Sequence, residues 1–352
     1  MRILAINPGG TSTKIAVFDD RRELLNINIQ HGPEEMHGCA SVFDQLGFRK
    51  AAVLDALSKA GIGLEKLDAV VGRGGLLKSV PGGTYAVNNA MVDDLRRAIN
   101  GEHPSNLGPV MARDIADSRN IPAFIVDPVS VDEFDARSRL SGISEIERPS
   151  WLHALNHKAV CREVAERMGG QYEDFNFIVA HLGSGISIAA HRRGRMVDGS
   201  GGRSNGPFSP ERCGSLPAYP LVELCYSGRF THAEMVSKIS TRAGMYDYLG
   251  TKDMLEIEGR YRAGDERAVL VLDAFVYQTA KDVAKYGATL CGEVDRIIVT
   301  GGIARSECIV GMIAAQVGWI APLEIVPGER EMEALAAGVL RVLTGVEEAK
   351  LY

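Results

Sequence analysis

The residues of this 352-residue chain best suited to chemistry sit in glycine-rich turns that follow short apolar runs. Asn7-Pro8-Gly9-Gly10-Thr11-Ser12-Thr13-Lys14 and Gly183-Ser184-Gly185 are two such turns, and Gly72-Arg73-Gly74-Gly75 and Thr300-Gly301-Gly302 are two more. Each exposes backbone N–H groups. Two of them in equivalent halves, facing across a cleft, would grip a polyphosphate from both sides. A single turn of this kind reads as a plain β-turn; the repetition is the signal. The cations stand in turns as well, Arg73 among glycines and Arg212 in Pro210-Glu211-Arg212-Cys213-Gly214. A planar guanidinium takes carboxylate or phosphoryl oxygens two at a time. His153 and His157 are four apart at a helix start, which is zinc-like spacing. Ala154 stands where H-E-x-x-H has its Glu, and no third ligand is evident, so His157 reads as helix packing. Asp127 closes an apolar strand before Pro128, and strand ends line clefts in α/β folds. Glu333 opens the last helical pattern. A turn-forming Asp and a helix N-terminal charge are the structural alternatives for these two. His181 leads into Gly183 and is left open between structural and binding roles.

The elements that must position these residues repeat along the chain. Ile3 to Ile6 runs into the Asn7 turn, and Lys14 to Phe18 and Leu24 to Gln30 resume strand patterns. Phe177 to Leu182, Ser187 to His191 and Arg195 to Asp198 follow the same plan. Asp68 to Val71 before Gly72 is matched by Arg296 to Val299 before Thr300, and Ala123 to Val126 by Leu323 to Val326. Three strand-plus-turn pairs in one order predict a duplicated α/β domain. Helical spacing is expected over Lys50–Ala60, Met91–Ile99, Leu155–Met168, Glu266–Cys291 and Glu333–Leu343, the last capped near Gly345. No low-complexity linker separates the halves, so the domains are expected to meet across a cleft.

Composition narrows the classes. Apolar residues make up 45% and charged residues 24%, ordinary globular values that exclude a disordered chain. The formal charge is −6 and no basic stripe is present, which argues against nucleic acid as principal partner. The apolar run at the N-terminus is too short for a signal peptide, and Ile309–Leu323 falls short of a membrane span. Six cysteines without a C-x-x-C pair are expected to be reduced and mostly buried in a cytoplasmic protein. There is no G-x-x-x-x-G-K-[ST], no G-x-G-x-x-G after a strand and no G-x-S-x-G.

As a set, the motifs resemble the acetokinase family. Asn7 to Lys14 is similar to its opening N-x-G-[ST]-x-S-x-K, and His181-Leu182-Gly183-Ser184-Gly185 to its HLG-x-G turn. Val299-Thr300-Gly301-Gly302-Ile303 resembles the adenosine-site TGGI, and Glu333-Ala334-Leu335-Ala336 the E-x-L-x-[AI] of the C-terminal helix. Gly72 to Leu77 and Ser209 to Gly214 look like the butyrate kinase versions. The resemblance implies a duplicated two-domain actin-like (ribonuclease H-like) fold. Residues 1–150 with 331–352 would form the acceptor side and 151–330 the nucleotide side. It implies reversible phosphoryl transfer from ATP, with Mg²⁺, to a short-chain carboxylate, butyrate first. The alternatives are acetate, propionate or a branched acid, then a sugar in which Asp127 would deprotonate a hydroxyl, then an actin-like ATPase. Arg73, Arg212, His153 and Asp127 would be catalytic. Asn7, Gly9, Ser12, Lys14, His181, Gly183, Gly185, Gly301, Gly302 and Ile303 would bind nucleotide. Asn7, Asp127 and Glu333 would serve Mg²⁺, largely through water. A homo-oligomer, dimer or higher, is expected. Gly72, Leu107 and Pro210 align with residues around the acetate methyl, and glycine at 72 is expected to leave room for a longer acyl tail.

Overall fold

The computed structural model describes residues 1–202 and 205–352. They form two compact units. The first comprises Met1–Asp132, Ala154–Asn156 and Arg330–Tyr352; the second comprises Glu133–His153 and His157–Glu329. The first division falls at 132/133 because the following segment is tied into the second unit. Asp135 N–H donates to Val197 O, the Glu133 carboxylate accepts from Met196 N–H and Lys158 Nζ, and Arg148 donates to Gly199 O.

The first unit holds six strands: β1 (Arg2–Pro8), β2 (Ser12–Asp19), β3 (Arg22–Gln30), β4 (Ala69–Gly72), β5 (Thr84–Ala86) and β6 (Ala123–Val126). Their order in the sheet is β3-β2-β1-β4-β6-β5. β1 to β3 form an antiparallel meander, and β1, β4 and β6 run parallel. Ile3, Leu4, Ala5 and Ile6 are all fully buried, as a central strand covered on both faces must be. Helix Leu107–Asp117 packs on β4 and β6, its Leu107, Met111 and Ile115 meeting Leu4, Ile6 and Val70.

The second unit holds β7 (Asn176–Leu182), β8 (Ile186–Arg192), β9 (Arg195–Gly201), β10 (Arg296–Gly301) and β11 (Leu323–Pro327), ordered β11-β10-β7-β8-β9. Again three strands form a meander, and β7, β10 and β11 run parallel. Strand for strand, β1, β2, β3, β4 and β6 recur as β7 to β11, and β5 is an addition at one edge. The duplication expected from the sequence is therefore present. The long helix Glu266–Thr289 packs against β7, β8 and β9.

Several elements depart from expectation. Helix Leu107–Asp117 is missing from the sequence reading because Pro109 interrupts its pattern; proline is tolerated there because it lies in the first turn. Between β9 and the long helix the described residues form four further helices, beginning with Ala218–Tyr226. That helix buries none of its residues, and Tyr219 and Tyr226 are 81% and 88% exposed. This exposed apolar segment has no counterpart in the sequence reading. The cysteines are free, but only Cys161 is buried; Cys225 and Cys291 are exposed. No helix among the described residues is long and apolar enough to cross a membrane. The last helix begins at Glu331, two residues before expectation, after Arg330 at φ 44°. It ends at Gly345, φ 74°, whose N–H meets Val342 O while Val346 N–H meets Arg341 O. Those paired bonds satisfy two terminal carbonyls, and glycine alone adopts that conformation without strain.

Candidate active site

In the first unit the C-terminal ends of β1, β4 and β6 deliver Asn7, Arg73 and Asp127. Asn7 Nδ2 donates to Glu331 Oε2 at 2.6 Å, and Glu331 Oε1 lies 3.3 Å from Arg73 Nη2. Glu331 thus joins the ends of two strands. The Arg73 side chain is 12% exposed, and its Nη1 is buried with no hydrogen-bond partner among the described residues. A buried guanidinium nitrogen left without an acceptor is costly, and an anion arriving there would satisfy it. Glu333, the sequence candidate, is exposed on the helix two residues further on. Glu331, and not Glu333, is the glutamate that bonds Asn7.

Asp127 is 1% exposed and sits at φ 38°, an unusual conformation for a non-glycine residue. Its Oδ1 accepts Gly83 N–H at 2.7 Å, and its own N–H donates to Gly83 O. In the β1–β2 turn, Gly9 N–H donates to Ser12 O at 2.7 Å, and Lys14 stands exposed opposite Asn7. Behind this turn lies Arg49, fully buried. Its Nη1 donates to Ser12 O and Thr13 Oγ1, its Nη2 to Gly10 O and its Nε to Gln45 Oε1. Among the described residues none of these acceptors is a carboxylate. Sequence reasoning missed Arg49, because a lone Arg in a helical pattern reads as solvent-exposed.

In the second unit the β7–β8 turn closes through Gly183 N–H to Gly185 O at 3.2 Å. Arg212 lies over it: a methyl added to Gly185 would stand 2.7 Å from Arg212 Nη1. The Arg212 turn is fixed from below. Ser209 N–H donates to Arg212 O, Arg212 N–H donates to Ser209 Oγ, and Ser209 Oγ donates to Ser184 O at 2.6 Å. Arg212 Nη1 also donates to Gly202 O. The Thr300 turn is tied to Gly328 by reciprocal bonds with Gly301. Gly301, at φ 88°, admits no side chain, since a Cβ would stand 2.3 Å from Leu182 O. Gly302 is exposed and Ile303 is buried beside it.

His153 and His181 stack with ring centroids 4.0 Å apart. Ser187 Oγ lies 2.8 Å from His153 Nδ1 and 2.9 Å from His157 Nε2. His157 Nδ1 is 3.2 Å from His191 Nε2, and His191 Nδ1 is 2.6 Å from the Tyr172 hydroxyl. Burial holds both His157 and His191 well below the usual histidine range, helped at His191 by Lys158 and Arg162. His157 is thus part of a polar chain as well as of helix packing.

The acetokinase family profile matches residues 146–320. That segment, 175 of the 352 residues, is similar to the acetokinase family. The acetokinase segment contains His153, His181, the Gly183 turn, Arg212 and the Thr300 turn; Asn7, Arg73, Asp127 and Glu331 lie outside it. Among solved structures, the acetate kinase of Porphyromonas gingivalis aligns with TM-score 0.81 and 18% identity, covering 98% of this chain and 100% of that one. The acetate kinase of Entamoeba histolytica aligns at 0.75 and 15%, over 96% and 98%. A propionate kinase from Francisella tularensis aligns at 0.71 and 20%, over 96% and 98%. The acetokinase fold therefore extends over nearly the whole chain, including the first unit.

Proposed function

We propose that this protein transfers the γ-phosphoryl of ATP to a short-chain carboxylate, giving an acyl phosphate and ADP. The observation that carries the reading is the buried, unpartnered Nη1 of Arg73 at a strand end, which asks for an anionic acceptor. A sugar hydroxyl can also accept that hydrogen bond, but it brings no charge to pair with the guanidinium. The acceptor carboxylate is already deprotonated, so its oxygen attacks phosphorus, the bond to the β–γ bridging oxygen breaks, and no general base is needed. Arg73 and Arg212 then act by charge stabilisation and positioning. In the second unit the His181, Gly183 and Thr300 turns serve the nucleotide; in the first unit the Asn7–Lys14 turn is a phosphate-binding turn.

Among the described residues no three His, Cys, Asp or Glu side chains cluster to cage a metal. That fits Mg²⁺, which keeps several waters and leans on phosphate oxygens and one or two carboxylates. Asn7, Asp127 and Glu331 are the residues that would hold it, and Mg²⁺ would neutralise charge on the β and γ oxygens. Glu331→Gln is expected to raise the Mg²⁺ concentration needed for half-maximal rate, as is Asp127→Asn, whereas Glu333→Gln leaves it unchanged. A magnesium titration in which Glu333→Gln shifts and Glu331→Gln does not would restore the original assignment.

Butyrate remains the first acceptor by the Gly72–Leu77 and Ser209–Gly214 motifs. Acetate or propionate is the second reading, favoured by a specific observation. A Cβ on Gly72 would stand 2.2 Å from Gly108 O, so this glycine admits a neighbouring backbone and opens no space for an acyl tail. Leu107 likewise lies in the core of the first unit. A hydroxylamine trap with Mg-ATP and a series from acetate to valerate tests both levels. A carboxylate-dependent hydroxamate supports the class, and its rank order gives the acceptor. Sugar-dependent ADP release without hydroxamate overturns the class. We also propose a homo-oligomer, with the exposed Ala218–Tyr226 helix as the face covered by a second copy; sedimentation as a monomer at micromolar concentration would refute it.

A further inference from the structure

The chain Tyr172–His191–His157–Ser187–His153 runs from a buried phenol to a proposed catalytic imidazole, entirely within the second unit. Each link is a single hydrogen bond, and every member except His153 is at least 97% buried. Neutral imidazole has one donor and one acceptor nitrogen, and Ser187 Oγ also accepts the His153 backbone N–H at 3.4 Å, which leaves it one lone pair and one hydrogen for the two rings; with neutral histidines the direction of any one bond then sets the direction of all the others. Two arrangements exist. In one, Tyr172 donates to His191 Nδ1, His191 Nε2–H donates to His157 Nδ1, His157 Nε2–H donates to Ser187, and Ser187 donates to His153 Nδ1. In the other, every hydrogen points the opposite way.

Two observations choose between them. A phenol is a stronger donor than imidazole, and its 2.6 Å bond to His191 favours Tyr172 as donor. The cations of Lys158 and Arg162 lie over the Tyr172 ring, at 5.4 and 5.6 Å, and favour hydrogens displaced away from that end. The first arrangement also places all three imidazoles in the Nε2–H form. We propose that Tyr172, His191, His157 and Ser187 are positioning residues that hold His153 as the neutral Nε2–H tautomer. His153 then presents a hydrogen-bond donor without carrying charge, its Nδ1 being occupied by the Ser187 hydroxyl. The chain delivers direction, not protons; no bond is made or broken in it.

The effect on rate rests on the carboxylate-kinase reading, whereas the tautomer does not, so the two fail separately. Nitrogen-15 correlation spectra of the full chain, assigned with His153→Asn and His191→Asn, report which ring nitrogen bears hydrogen. The expected result is Nε2–H at residues 153, 157 and 191. In Tyr172→Phe the His191 Nδ1 resonance should shift towards that of an unbonded acceptor, and His153 should become a tautomer mixture. Ser187→Ala is expected to lower kcat about tenfold with KM for ATP within about twofold, the scale of lost outer hydrogen bonds. Hydrogen on Nδ1 of His153 in the wild-type chain would overturn the proposal. So would an unmoved His153 signal in a Tyr172→Phe protein whose Tm shows it folded. Wild-type protein without hydroxamate activity, but with the expected tautomers, would sink the enzymatic reading alone.

Discussion

Arg212→Ala is expected to lower kcat by roughly 10²-fold or more, the scale for removing one donor aimed at developing charge. Its turn is held by Ser209 bonds that use the Arg212 main chain, so the backbone should survive the substitution. Arg212→Lys should rescue only in part, because an ammonium lacks the planar fork. Gly185→Ala offers an independent check. Its methyl would crowd Arg212 Nη1 at 2.7 Å, the far end of a flexible side chain, so the guanidinium moves while the fold holds. Both variants should therefore lose turnover at near-normal Tm. Normal turnover in Arg212→Ala would remove this residue from the site.

Gly72→Ala should destabilise the first unit by about 3 kcal/mol or more, towards the upper end for overpacking, since the obstruction is backbone. A Cβ there would stand 2.2 Å from Gly108 O and 2.7 Å from Pro109 N, and a Cβ on Gly108 would in turn stand 2.3 Å from Arg73 O. For a unit of this size the loss corresponds to a Tm lower by roughly 10 °C. Gly72→Val should fare worse still, and its acyl preference should not be measurable in folded protein. Gly47→Ala, with nothing within 4 Å of the added methyl, is the matched control and should keep the wild-type Tm. A Gly72→Val enzyme with normal Tm would return this position to the acceptor pocket.

The strands and turns were legible because both signals are local. Buried strands such as Ile3 to Ile6 read as apolar runs, and the glycines after them mark where backbone must bend. The order of those signals revealed the duplication. Local signals say less about which neighbour a side chain meets. Glu329, Glu331 and Glu333 alternate along the sequence, and only the start of the helix after Arg330 puts Glu331 against Asn7. His153 and His157 were visible through helical spacing. Ser187 and His191 were not singled out, although they too are four apart, on one face of β8. What joins them to the other pair is tertiary: Ser187 Oγ bonds both rings, and His191 Nε2 bonds His157 Nδ1. Gly72 is a related case: an absent side chain reads as empty volume until the chain that fills it, here Gly108, is known.

Arg49 has a consequence for how the Gly9–Thr13 turn meets a ligand. A free segment of that composition would sample many backbone states, and fixing each residue costs on the order of 1–2 kcal/mol. Here three bonds from a fully buried guanidinium hold Gly10, Ser12 and Thr13 from behind. The ordering is completed when the first unit folds, before any anion arrives. Binding at that turn would then carry little conformational entropy penalty.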